Sequence, residues 1–164
     1  ILKSHKKGEY MAAKNGNIII KDIWNYAAGF IDSAGSFTIT ERDEPRITIV
    51  AKGDRGRLHC SQLHDNLGFG ALQLNKSVST TDLNTHQLEF RGQDAAKLLS
   101  GSLPHIVEKG KVAKAMAHYF LEPDNTIMKQ YVQYQSWNGT HKAEKALRQW
   151  GVDQDTVLSW AEEL

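Results

Sequence analysis

Four segments in which polar and apolar residues alternate constrain the fold of this 164-residue chain more than any other feature. They run from Ser36 to Arg42, Arg46 to Lys52, Ala71 to Ser77 and Thr85 to Arg91. A period of two places successive side chains on opposite faces of a strand. We therefore expect four strands in a sheet that has one polar face and one apolar face, with helices covering the apolar one.

Helical patterns precede, separate and follow the two pairs of strands. Residues 22–31 carry apolar side chains at a spacing of three to four behind a capping Asp22, and residues 57–67, 93–99 and 107–121 are also helical in pattern. The order of helix, two strands, helix, two strands, helix predicts an α+β domain with a mostly antiparallel four-stranded sheet. A chain of this length can bury one core of its own.

The outward side chains of the predicted strands are mainly short or medium donors and acceptors. Such side chains read base edges in the major groove of DNA, although an ordinary hydrated sheet face has a similar composition. Residues 36–92 contain seven basic and seven acidic residues, so phosphate contacts would come from selected arginines and lysines. The candidate DNA-binding residues are Ser36, Thr38, Thr40, Arg42, Arg46, Thr48, Gln73, Asn75, Ser77, Thr85, Gln87 and Arg91.

The chain divides into a basic arm (residues 1–21), a core (22–123) and a C-terminal helical extension (124–164). The arm has five lysines and one acidic residue, and it is either a hydrated tail or a contact to the DNA backbone. The extension contains two predicted helices, the first capped by Thr140 and ended by Gly151. We expect its helices to pack onto the core through Trp137, Trp150 and Trp160.

The single cysteine, Cys60, excludes an internal disulfide and a cysteine-based zinc site, and we expect it to be a small buried side chain. The first ten residues are basic and polar, and no apolar segment of the kind found in secretory signals follows them. We therefore expect an intracellular protein, in the cytoplasm, the nucleoid or an organelle matrix or stroma, that does not bind membranes.

The stretch "AAGFIDSAG", Ala27 to Gly35, resembles the nine-residue signature of the LAGLIDADG homing endonucleases. Behind it come two strands, a helix that closes in "LGFG" (Leu67 to Gly70), two more strands and the segment "PHIVEKGKVAKA". These features follow the order and spacing of the single-motif members of that family, over roughly residues 25–122. The resemblance implies an αββαββα domain whose sheet forms a DNA-binding saddle.

The resemblance also implies a homodimer, since a single motif copy needs a partner helix from a second chain. The small residues of the motif would let two helix backbones approach, and two-fold symmetry would select a long, nearly palindromic site in double-stranded DNA. The implied interface residues are Ala27, Ala28, Gly29 and Ile31.

In the family, the acid at the eighth motif position binds a divalent metal ion, Mg²⁺, that assists cleavage of the DNA backbone. Ala34 stands at that position in this chain, and its methyl group cannot bind a metal. The backbone carbonyl of Ser33 is one remaining ligand, and Asp32 is expected to serve the helix end instead. The resemblance therefore implies metal binding that is weakened here and cleavage that is lost or severely impaired.

Two further positions match the polar surroundings of the family's cleavage site. Lys109 corresponds to a basic residue near the scissile phosphate, where it would offset developing negative charge, and Lys111 is its neighbour. Lys52, at the end of the second strand, falls near a residue that organises solvent. Each of these lysines could equally be an ordinary hydrated surface charge.

Three hypotheses follow from these features. The first is a sequence-specific homing endonuclease, cleavage-defective because of Ala34, whether that residue is natural or engineered. The second is a non-catalytic descendant that binds DNA or RNA, such as an intron-RNA maturase or a transcriptional regulator. The third is an α+β interaction protein in which the motif occurs by chance.

Overall fold

A computed structural model describes residues 10–12, 18–76, 84–162 and 164 of the chain. Ser77, the loop after it and most of the basic arm lie outside the described residues. A 3₁₀ helix spans Leu103–His105. The strands and α-helices are, in chain order, β1 (Tyr10–Ala12), β2 (Ile18–Ile20), α1 (Ile23–Ala34), β3 (Gly35–Ile39), β4 (Pro45–Lys52), α2 (Gly53–Leu67), β5 (Ala71–Lys76), β6 (Thr85–Arg91), α3 (Gln93–Ser102), α4 (Gly110–Leu121), α5 (Thr126–Trp137), α6 (His141–Trp150) and α7 (Gln154–Ser159).

Strands β3 to β6 form one antiparallel sheet in the order β3-β4-β6-β5. Its register keeps like faces together: Phe37 lies opposite Ile47 across β3 and β4, and Ile47 lies opposite Phe90 across β4 and β6. A shift of one residue would turn the apolar side chains of a strand to water, so the alternation in the sequence fixes this register. The predicted α+β fold and its four-stranded antiparallel sheet are confirmed.

The helices cover one face of this sheet. Helices α1, α2 and α3 pack against β4 or β6, and α4 and α5 pack against β3. Beneath them Phe37, Ile47, Ile49, Leu88 and Phe90 are almost fully buried. Burial of each such side chain contributes about 1.5–3 kcal/mol, so this face supplies much of the driving force for folding.

Helix α5 is absent from the sequence prediction, and it ties the C-terminal extension to the sheet. Asn125 caps it by accepting the backbone N–H of Met128 at 3.1 Å. Met128 and Val132 are buried in the same core as the sheet, and Gln133 Nε2 donates to the carbonyl of Ile39 at 3.5 Å. Residues 124–164 therefore share the core of residues 22–123.

The tryptophans of the extension pack as expected. The rings of Trp137 and Trp150 stack with centroids 6.4 Å apart, and Trp160 also packs against the core. Gly151 ends α6 in the left-handed region, at φ 71°, as predicted. Thr140 precedes α6, but its hydroxyl donates to the carbonyl of Trp137 instead of accepting from the helix.

Strand β3 ends earlier than predicted, at Ile39. Thr40 N donates to Glu44 O at 2.9 Å and Asp43 N donates to Thr40 O at 2.9 Å, which closes a turn. Asp43 has a φ of 63°, a conformation that Asp tolerates better than most residues. Arg42 is therefore an exposed turn residue and not a member of the strand.

Cys60 is 1% exposed on α2, which confirms the expectation of a small buried side chain. Burial raises the pKa of its thiol to about 11. No described helix combines the length and apolar character needed to cross a membrane.

Candidate nucleic-acid interface

The motif helix α1 begins and ends where the sequence places its signals. Asp22 accepts the backbone N–H of Asn25 at 3.1 Å and so caps the first turn. At the other end a Cβ on Gly35 would lie 2.8 Å from the carbonyl oxygen of Ile31. Only glycine therefore lets the chain leave the helix and enter β3 at this point.

Asp32 joins the end of α1 to the loop that precedes α4. Its Oδ2 accepts the backbone N–H of Val107 at 2.9 Å, and its Oδ1 accepts that of Lys109 at 3.0 Å. These bonds hold residues 107–109 outside the helix, which begins at Gly110 and not at Val107 as predicted. Asp32 serves the end of the motif helix, and both of its carboxylate oxygens are engaged.

Lys109 places a positively charged side chain at the end of α1. Its Nζ donates to the carbonyl oxygen of Gly35, the residue that follows Ala34. Burial lowers the pKa of Lys109, and the nearby Asp32 carboxylate opposes that shift. The structure thus brings together Asp32, Lys109 and the end of the motif.

The residues at the end of α1 do not fit a divalent metal ion. Mg²⁺ takes hard oxygen ligands, commonly carboxylates. Ala34 offers a methyl group, Ser33 offers a neutral carbonyl, and each Asp32 oxygen already accepts a backbone N–H from the loop before α4. Over the part of the chain that the structure describes, no group of three or more His, Cys, Asp or Glu residues could hold a metal ion.

The other two lysines are surface residues. Gly35 is opposite Ile49, so Lys52 is three residues farther along β4, about 10 Å away at the rise of a strand. Lys52 is exposed, as is Lys111 in the first turn of α4. The structure places Lys109 at the end of the motif helix and leaves Lys52 and Lys111 at the surface.

The face of the sheet opposite the helices is polar, and its residues lie in cross-strand rows. One row runs from Ser36 through Thr48 to Glu89, and another runs from Thr38 through Arg46 to Arg91. A third runs from Val50 through Gln87 to Gln73. Predicted residues with exposed or half-buried side chains on this face are Ser36, Thr38, Arg46, Thr48, Gln73, Asn75, Gln87 and Arg91.

Other predicted DNA-contact residues differ in position or exposure. Thr40 is half-buried just beyond the end of β3, where its hydroxyl accepts the backbone N–H of Glu44 at 3.2 Å. Arg42 is in the turn, and Thr85 is only 7% exposed, so its side chain is poorly placed to touch a base. Asn75 lies at a bulge in β5 with φ 60°.

Glu89 lies on the polar face, although it is not among the predicted DNA-contact residues. Gln87, Glu89 and Arg91 are two residues apart in β6 and therefore lie on the same, polar face. The alternation places Glu89 there, but its negative charge distinguishes it from the donors and acceptors around it. Its carboxylate lies 3.8 Å from Arg46 Nη1 and accepts a hydrogen bond from Arg91 Nε. Gln87 Nε2 also donates to it, at 3.4 Å.

The predicted interface residues do not share one surface. Ala27, Ala28 and Ile31 are fully buried inside the protomer, where they pack in the core. They cannot contact a second chain without unpacking that core, and the prediction for these three is corrected. Gly29 is exposed, and a Cβ added to it would meet no atom within 4 Å.

The fold is shared with solved homing endonucleases. I-CvuI in complex with its target in the presence of calcium has a TM-score of 0.56 at 15% identity, over 79% of this chain and 95% of that chain. I-TnaI has a TM-score of 0.56 at 15% identity, over 77% and 96%. The archaeal intron-encoded I-Vdi141I, complexed with DNA, has a TM-score of 0.50 at 19% identity, over 85% and 94%.

No protein-family model matches the sequence, and no curated protein matches it. At identities below a fifth the structural similarity establishes the fold, which is the one that the motif resemblance implied. The similarity spans nearly the whole of each solved endonuclease chain.

Proposed function

We propose that this chain is a sequence-specific binding protein for double-stranded DNA, of the LAGLIDADG homing-endonuclease type, that binds without cutting. The observation that carries the proposal is the polar face of the four-stranded sheet, with rows of donors and acceptors on one side of a helix-backed core. Strands of a sheet can lie in the major groove and read base edges. Of the solved endonucleases named above, I-CvuI is in complex with its target and I-Vdi141I is in complex with DNA.

The DNA-bound form is a homodimer that recognises a nearly palindromic site. The surface of α1 that faces away from the core carries Asn25, Gly29 and Ser33, spaced four residues apart and hence on one side of the helix. A glycine in a helix interior costs about 1 kcal/mol relative to alanine. A Cβ at Gly29 would meet no described atom within 4 Å outside its own stretch of helix, and the glycine would allow a second α1 to approach.

The lack of cleavage follows from the chemistry of the α1 end. Ala34, Ser33 and the occupied Asp32 do not supply a ligand set for Mg²⁺, so the family's metal-assisted chemistry has no support from these residues. Lys109 remains as the positive charge at this point, and an ammonium group can bind a phosphate without any metal. DNA binding by this chain therefore does not require a divalent ion.

The experiment is a selection of bound duplexes from a random double-stranded library, in EDTA and in Mg²⁺, with the wild-type chain and Ala34→Asp. We expect the wild type to enrich the same nearly palindromic sites in both buffers and to leave them intact in Mg²⁺. Ala34→Asp restores the carboxylate, and we expect cleavage of those sites in Mg²⁺ only. Wild-type binding that disappears in EDTA would contradict metal-independent recognition.

A second candidate is a non-catalytic descendant, such as an intron-RNA maturase or a transcriptional regulator, and the misfit of the α1 end for a metal favours it. The same experiment separates the two. If Ala34→Asp folds and binds as the wild type does but cuts no DNA, the chain has lost further residues needed for cleavage besides the acid at position 34. Selective binding of structured RNA with no enrichment of duplex DNA would favour the maturase.

A further inference from the structure

Two arginines face each other directly on the polar face of the sheet. Arg46 of β4 is the register partner of Arg91 of β6, and both side chains point away from the core. Like charges in directly opposite positions destabilise a sheet. The pair lies at the ends of the two central strands, where Arg91 is the last residue of β6, and it needs a compensating charge.

Glu89 supplies that charge from the next outward position of β6. Its carboxylate lies 3.8 Å from Arg46 Nη1 and accepts from Arg91 Nε. Thr38 Oγ1 gives Arg46 a second anchor by accepting from its Nε at 3.2 Å. The Glu89 side chain is 13% exposed, whereas the side chains of Arg46 and Arg91 are 32% and 57% exposed.

These contacts hold Arg46 through its Nε and Nη1 and Arg91 through its Nε, while both side chains stay partly exposed to solvent. The Nε atoms of Arg46 and Arg91 are both used within the sheet. The hydrogen bond that Arg91 makes to Glu89 uses its Nε, and the Arg91 side chain is the most exposed of the three, at 57%. A guanidinium held in this way has already lost much of its rotational freedom before it meets a ligand, which lowers the cost of binding.

The ligand that best fits an outward arginine fork on such a face is guanine. Guanine presents O6 and N7 together in the major groove, and bidentate contact by arginine is the commonest specific contact to DNA. Opposite residues of neighbouring strands are about 4.5–5.5 Å apart at Cα, while successive bases rise about 3.4 Å. The two arginines can therefore reach guanines one or two steps apart.

On the premise of the DNA-binding function above, we propose that Arg46 and Arg91 are the guanine-reading residues of this sheet and that Glu89 positions both of them. The Glu89 carboxylate is negatively charged and therefore repels base acceptor atoms that lie between the two arginines. A cytosine N4 or adenine N6 amino group is the compatible base edge at that point. Each protomer would then require guanine at two fixed positions in its half of the site.

The test is duplex selection at near-physiological salt with the wild type, Arg91→Lys, Glu89→Gln and Arg148→Ala. Arg91→Lys keeps the charge but loses the planar fork. We expect it to bind with the wild-type salt dependence while its preference for guanine at one position of each half-site falls about tenfold or more. Arg148, exposed on α6, is the matched control, and its loss should leave the selected sequences unchanged.

Glu89→Gln tests positioning by a change that a purely structural ion pair would not produce. We expect guanine preference to fall at both positions, while affinity for non-specific DNA rises because a negative charge has left the surface that faces the phosphates. An Arg91→Lys or Glu89→Gln protein that melts as the wild type does and selects the wild-type sequences would overturn the inference. A wild type that selects duplexes without fixed guanines would also overturn it, but would leave DNA binding intact. A wild type that selects no duplex removes the proposed function and this inference together.

Discussion

At the scale of single residues, the Asp32 carboxylate ties the end of the motif helix to the loop before α4. It accepts two backbone N–H groups from a loop that is 75 and 77 residues away in sequence. A carboxylate can accept both bonds at once, whereas an amide presents one oxygen and one donor. The motif helix and the approach to α4 therefore depend on a negative charge at this position.

Replacing Asp32 by Asn should destabilise the fold, because one loop N–H would then face an amide NH₂. We expect a loss of about 1–3 kcal/mol in the free energy of unfolding, measured by urea denaturation. Asp22→Asn is the matched control, since Asp22 accepts one helix N–H and Asn caps a helix equally well. Equal effects of the two substitutions would show that Asp32 is not a special link.

Cys60 and Tyr26 make the free energy of unfolding depend on pH in the alkaline range. Burial raises the pKa of the Cys60 thiol from 9.0 to about 11. Burial, with a smaller contribution from Cys60, raises that of Tyr26 from 10.0 to about 12. Between the unfolded and folded pKa values only the unfolded chain releases its proton, so the free energy of unfolding falls as pH rises.

We expect the loss to begin near pH 9 and, for the thiol, to reach about 2–3 kcal/mol by pH 11. Urea unfolding of the wild type and Cys60→Ala from pH 8 to pH 11 measures it. The alanine variant should start less stable but lose less stability over that range. Parallel pH profiles for the two proteins would rule out a contribution from the thiol.

At the scale of secondary structure, helices α1 and α3 cross at a glycine. A Cβ on Gly101 would lie 2.1 Å from Cδ2 of Trp24, a ring atom next to the point where the side chain attaches. The ring cannot avoid the clash by a small movement of its tip. The contact therefore sets the distance between the two helices.

Gly101→Ala should destabilise the protein by roughly 1–2 kcal/mol, because overpacking outweighs the better helix propensity of alanine. Gly110→Ala is the control, since no atom lies within 4 Å of a Cβ at that position. We expect the control to match or slightly exceed the wild type in urea denaturation. A stabilised Gly101→Ala protein would mean that Trp24 moves freely.

The elements that the sequence predicts well are those determined by neighbouring residues. Alternation places β6 at its observed limits, and Gly68, at φ 78°, ends α2 as predicted. The predicted end of β3 is wrong because a turn at residues 40–44 ends the strand. The predicted start of α4 is wrong because Asp32 binds the backbone of the preceding loop, a contact that no local sequence pattern contains. Helix α5 has a weak apolar pattern, and it owes its place to contacts with α4 and β3.

The candidate site follows the same division. The alternation of polar and apolar residues predicts the polar face and its residues. The motif resemblance predicts that Lys109 lies near the end of α1. Two features did not follow: the buried state of Ala28 and Ile31, and the carboxylate of Glu89 between two arginines. Both depend on which side of an element meets which neighbour, and this is decided only by tertiary packing.

At the scale of the whole molecule, the proposed dimer requires that two copies of α1 meet at their exposed sides. Gly29 is the most informative position, because among the described residues a Cβ there would meet no atom within 4 Å outside its own stretch of helix. A larger side chain should stabilise the isolated protomer by up to about 1 kcal/mol through helix propensity. The same side chain should hold two helices apart.

Gly29→Leu should therefore separate folding from association. In sedimentation equilibrium we expect the wild type to be a dimer at micromolar concentration and the variant to be a monomer with an equal or higher melting temperature. Gly110→Ala, at the start of α4, should remain a dimer. The monomeric variant should bind DNA more weakly than the dimer, because it contacts a half-site with one sheet and recognition of the full site needs both sheets. A variant that still dimerises would place the contact between protomers elsewhere. A wild type that is monomeric with and without DNA would remove the symmetry from which a palindromic site is expected.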